Sequence, residues 1–108
     1  MKWILPLLLL AGICVEAEPA RFYLGTYTDN SSSRGIYTGV VDTDTGKLGP
    51  LELAAPLKNP SFVALAPGGK FLYAVTETAA GSVTAFRVEN DGHLTKLNDL
   101  PSGNGGCH

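Results

Sequence analysis

An all-β fold is what this sequence predicts, and three observations predict it. Between Asn59 and Leu100 four short strand-like runs follow one another, divided by Pro67-Gly68-Gly69, Ala79-Ala80-Gly81 and Asn90-Asp91-Gly92. Turns ending in glycine supply the positive φ that tight hairpins need. The preceding segment repeats this pattern. FYLGTYT at 22–28 matches FLYAVTE at 71–77, GIYTGVV at 35–41 matches GSVTAFR at 81–87, and TGKLGPLEL at 45–53 matches DGHLTKLND at 91–99. The offset is 49 residues for the first pair and 46 for the other two, the difference falling in the loop Asp29–Arg34. Beyond the N-terminal leader, no stretch is long, apolar and helical in period. Several strands per unit, at a period in the high forties, are the sequence signature of β-propeller blades. A duplicated β-sandwich with equally spaced strands is the alternative.

The elements follow in order. Residues 1–17 read as a secretory leader: Lys2 is the basic start, Ile4–Ile13 the apolar run, and Val15-Glu16-Ala17 the small-residue cleavage site before Glu18. The run is short for a membrane span. Ile13 precedes Cys14 where a lipoprotein signal requires a small residue, so plain secretion is the reading. Arg21–Thr28 is the first strand, with Phe22, Leu24 and Tyr27 as its larger apolar residues. Gly25 marks a close approach by another backbone. Gly35–Asp42 follows, then the turn Asp42–Gly46, which lacks the later glutamate of a calcium loop and reads as a solvated hairpin. Lys47–Ala55 is an outer strand whose Pro50 suits an edge. The second unit supplies Ser61–Ala66, Lys70–Glu77, Ser82–Glu89 and His93–Asp99. Both faces of the strand Lys70–Glu77 are apolar, and Phe71, Tyr73 and Val75, with Phe22 and Leu24, are expected in the packing between blades.

Seven strands make about one and three-quarter four-stranded blades, and a propeller needs about four to eight blades to close. The 108 residues are therefore expected to be a truncated chain, with 18–108 the N-terminal part of a propeller and exposed apolar flanks. From Glu18 onward nine acidic residues face seven basic ones, well mixed. That balance argues against a nucleic-acid partner, and the mature segment offers no membrane span. Losing the leader removes Cys14, so Cys107 either pairs outside this segment or stays a buried thiol. His and Cys are too sparse for a metal site, and no cofactor is implied. The oligomeric state is open.

With the innermost strand of each blade first, the turns after strands two and four share one face of the disc. That face gathers Thr28–Arg34, Leu57–Ser61, Glu77–Ala80 and Ser102–His108. It holds the groups able to bind or move protons: Arg34, Asn59, Ser61, Glu77 and His108. A carboxylate just past the apolar FLYAVT run is placed where burial could tune it. Each also has a plainer structural reading; Asn59, for instance, precedes a proline and is held extended by it. His93 belongs to a surface turn on the opposite face.

The motifs YLGTYT, GIY, D-x-x-TG-x-L, NPSF-x-A-x-x-P-x-G-x-x-LYAV-x-E, G-x-V-x-AF, L-x-x-LN and P-S-G-x-G-x-CH occur in that order. Together they resemble the start of the seven-bladed propeller lactonases, the 6-phosphogluconolactonase-like family with its carboxy-muconate cyclase relatives. The resemblance runs from Arg21 to His108. It implies a seven-bladed propeller and hydrolysis of a sugar lactone, in carbohydrate metabolism, at a site over the central channel. The resemblance places the family's catalytic histidine, arginine and glutamate mostly in later blades, and Asn59, Ser61, Glu77 and His108 on the channel face as site-lining candidates. Within this chain His108 and Glu77 are the catalytic candidates, and Asn59, Ser61 and, from the face assignment, Arg34 the substrate-binding ones. Export points away from 6-phosphogluconolactone itself, since phosphorylated sugars are scarce outside the cytosol. A secreted or periplasmic lactonase, a non-catalytic binding propeller and an inactive fragment are the three readings, because propellers host both enzymes and binders.

Overall fold

The computed structural model of the chain describes residues 19–103. The leader at 1–17, Cys107 and His108 lie outside the described residues. Among the described residues there is no helix. There are seven strands: β1 (Ala20–Leu24), β2 (Gly35–Val41), β3 (Glu52–Pro56), β4 (Phe62–Leu65), β5 (Phe71–Thr76), β6 (Ser82–Val88) and β7 (Leu94–Pro101). They form two antiparallel meanders, β1-β2-β3 and β4-β5-β6-β7, the arrangement of partial propeller blades.

Two strands fall well short of what their sequence pattern predicts, for separate reasons. The first, expected to reach Thr28, ends at Leu24. Beyond it Gly25 runs so close to Pro60 that an added Cβ would overlap the Pro60 carbonyl oxygen, which steers the chain out of the sheet. The outer strand, expected over Lys47–Ala55, begins only at Glu52. Leu48 makes an isolated bridge to Val41, and Pro50 then withholds a ladder donor and fixes φ, so pairing resumes after it. The Asp42–Gly46 turn closes on itself: Asp42 Oδ1 accepts from the amides of Asp44 (2.8 Å) and Thr45 (3.2 Å).

Strand parity decides which residues meet between the sheets. Tyr23 pairs with Thr38 and Ile36 with Ala55 on one sheet; Leu72 pairs with Phe86 and Ala74 with Thr84 on the other. Ile36, Ala54, Ala55, Leu72, Ala74, Phe86 and Leu94 form one buried cluster, with Tyr23, Leu57, Val63 and Val88 packed around it. Of the two faces of β5, it is the one carrying Leu72 and Ala74, not the one carrying Phe71, Tyr73 and Val75, that packs between these two sheets. Leu72 and Ala74 are 0% and 1% exposed, whereas Phe71 and Tyr73, on the opposite face, are 39% and 43% exposed. Leu24 is likewise exposed, and Tyr23 rather than Phe22 or Leu24 reaches the shared core. The two-residue period separates the faces of a strand but does not say which neighbour each face meets.

The Tyr23 hydroxyl donates across the sheets to the Gly92 carbonyl at 2.7 Å. Burial pushes its phenol above the ordinary tyrosine value, against the opposing pull of the Arg21 charge, so it remains a protonated donor at neutral pH. Thr84 is fully buried, and among the described residues its Oγ1 has no hydrogen-bond partner. Thr84→Val keeps the shape and removes the orphaned hydroxyl. It is expected to stabilise the protein by about 1 kcal/mol in urea unfolding. A loss of stability instead would mean that the hydroxyl is satisfied, for example by water.

Candidate active site

Three loops converge where β1 leaves its sheet, between β3 and β4, and after β5. Asn59 joins them. It is only 4% exposed and sits at φ +44°, in the left-handed region that asparagine tolerates better than most residues. Its Oδ1 accepts from the amides of Thr28 (2.8 Å) and Asp29 (3.1 Å) and from the Thr28 hydroxyl (3.2 Å). Its Nδ2 donates to Asp29 Oδ2 (2.9 Å) and to the Glu77 carbonyl (3.3 Å). Its own carbonyl accepts from the amides of Ser61 (2.8 Å) and Glu77 (3.0 Å). The amide is therefore wholly engaged inside the protein, where it clasps the two sheets together. Asn59 first, and then the Lys58 ammonium at 3.0 Å, hold the Asp29 carboxyl below the usual carboxylate range.

The clasp sets the position of a carboxylate beside it. Glu77 follows the end of β5, and its Oε1 accepts from Ser61 Oγ at 2.6 Å. The Tyr27 hydroxyl donates to the same oxygen at 3.0 Å. Ser61 and Glu77 belong to the second sheet's strand ends, whereas Tyr27 arrives from the first. The bond to Glu77 is the main reason the Tyr27 phenol titrates above its ordinary value, so it stays a donor at neutral pH. A carboxylate fixed by hydroxyl donors at a half-exposed rim can accept a proton from water or orient a polar substrate.

The residues singled out from sequence distribute unevenly. Asn59, Ser61 and Glu77 are brought together. Arg34 is not: its side chain is exposed, its amide donates to the Tyr37 hydroxyl (3.0 Å), and its carbonyl accepts from Leu57 (3.3 Å). His93 sits in an exposed turn with Nδ1 3.1 Å from Asp91 Oδ2. Sequence reasoning missed Tyr27, Asp29 and Lys58. Tyr27 had been counted among the apolar residues of a strand running to Thr28. The available signal was Gly25, since a strand ending there leaves Tyr27 in a loop.

Two adjacent antiparallel sheets, joined at one rim by an asparagine clasp with a carboxylate beside it, have the arrangement of partial propeller blades with a candidate site at the rim. The family model that matches residues 21–108 is described as "Lactonase, 7-bladed beta-propeller", and the chain belongs to this family. The chain is 39% identical over 89 residues to a 6-phosphogluconolactonase of Bacillus subtilis, covering 80% of this chain and 25% of that one. It is 32% identical over 80 residues to a 6-phosphogluconolactonase of Formosa agariphila, covering 70% and 23%. A crystal structure from Bacteroides uniformis, of a protein provisionally named a 6-phosphogluconolactonase, superposes with a TM-score of 0.71 at 34% identity. It covers 80% of this chain and 25% of that one. The chain thus spans about a quarter of the length of these relatives.

Proposed function

We propose that these blades act within a complete propeller that hydrolyses a sugar lactone, with Glu77 at the site. The observation that carries this reading is the Glu77 carboxylate held by Ser61 Oγ at 2.6 Å on the rim where three loops converge. Membership of the lactonase family and the names of the relatives support the reaction class. A lactone is a cyclic ester, and its opening needs a base for water and a proton for the leaving oxygen. Glu77 takes a proton from water as the water oxygen bonds to the lactone carbonyl carbon. The ring C–O bond then breaks, and the departing oxygen takes the proton back, giving the open hydroxy acid. His108, in the matched segment but outside the described residues, is the second catalytic candidate, and Ser61, beside Glu77, is the substrate-binding one. The leader read over 1–17 supports a secreted or periplasmic setting and, with it, an unphosphorylated sugar lactone as substrate.

The test compares hydrolysis of gluconolactone and its 6-phosphate by the complete propeller and by its Glu77→Gln variant. The variant is expected to lose on the order of a hundredfold in kcat, with its melting temperature nearly unchanged. Full activity on every lactone the parent opens would remove Glu77 from the site. A parent that opens neither lactone would favour the binding propeller.

A further inference from the structure

Tyr27 comes from the other sheet. Ser61 and Glu77 lie at strand ends of the β4–β7 sheet, so the contact between them is internal to one blade. Tyr27 follows β1 and reaches Glu77 Oε1, at 3.0 Å, from the neighbouring blade. Its path is dictated by Gly25, which passes against Pro60, and by the Asn59 clasp on the next two residues, Thr28 and Asp29. The ring itself is 57% exposed, so it contributes little to the core. An exposed tyrosine, aimed by two rigid contacts at a carboxylate already bonded to Ser61, serves the carboxylate more than the fold.

We infer that Tyr27 is a positioning residue, fixing from the adjacent blade the orientation in which the Glu77 carboxylate meets its substrate. The inference rests on the lactonase reading of Glu77 above. A hydroxyl bonded to Oε1 restrains rotation of the carboxylate. Such restraint affects the reacting geometry more than the binding of substrate.

The experiment is a double-mutant cycle in the complete propeller, reading kcat and KM separately on the lactone the parent opens. Tyr27→Phe keeps the ring and removes only the donor. It is expected to lower kcat about tenfold while KM stays within about twofold and the melting temperature holds. In a Glu77→Ala background, Tyr27→Phe should cost nothing further, because a residue that acts through Glu77 has nothing left to position. Unchanged kcat in Tyr27→Phe, a rise in KM alone, or a full second loss in the Glu77→Ala background would each overturn the inference. If Glu77→Ala itself kept full activity, the reading of Glu77 would fall, and the role of Tyr27 with it. A damaging Glu77→Ala beside a harmless Tyr27→Phe would overturn the role of Tyr27 alone.

Discussion

Phe86→Ala is expected to destabilise the protein by about 3–5 kcal/mol, the usual cost of emptying a buried phenylalanine site. Phe86 is 1% exposed and pairs with Leu72 across β5 and β6, on the face that meets the first sheet. Truncation removes its apolar burial and leaves a cavity that two hydrogen-bonded sheets cannot collapse to fill. Urea unfolding gives the number. A loss below about 1 kcal/mol, outside that range, would mean that the Leu72 face is not the one buried between the sheets.

Asn59→Ala is expected to cost as much by a different route. The substitution orphans the amides of Thr28 and Asp29, which both donate to Oδ1. Each unsatisfied buried donor costs about 1–3 kcal/mol. Alanine must also take up φ +44°, a conformation that asparagine tolerates more readily. Together these give a loss of about 3–5 kcal/mol in thermal or urea unfolding. Asn59→Asp separates the contributions. It keeps the acceptor for both amides but sets a carboxylate against Asp29 Oδ2, where Nδ2 now donates at 2.9 Å. It should therefore also destabilise at neutral pH and recover part of the loss as the pH falls and one of the two carboxylates is protonated. A stable Asn59→Ala would mean that the loops hold together without the clasp.

Much of the fold was legible because hairpin chemistry is local. The glycine-ended turns mark five of the seven strands to within two residues, and the 46-residue offset places equivalent strands in two units. The close approach at Gly25 was also readable, since a glycine inside an apolar run has few other uses. What escaped was relational. The alternation in FLYAVT separates Phe71, Tyr73 and Val75 from Leu72, Ala74 and Thr76, but only the stacking of sheets decides that Leu72 and Ala74 turn toward the first one. At the site, the face assignment did gather Asn59, Ser61 and Glu77. It also enrolled Arg34, whose backbone is used while its side chain stays exposed. Tyr27 was hidden by its chemistry. An aromatic ring in an apolar run looks like core until the strand is known to stop at Leu24.

A side chain at Gly25 would strike the Pro60 carbonyl, one residue from the Asn59 clasp and one from Ser61. Relief of that collision moves the chain on both sides, carrying Tyr27 and Ser61 away from the carboxylate they share. A random-mutagenesis screen scored on turnover would therefore return position 25 alongside the residues that meet substrate. A map of tolerated substitutions drawn from such a screen would show a gap there whose origin is a missing methyl group, not chemistry.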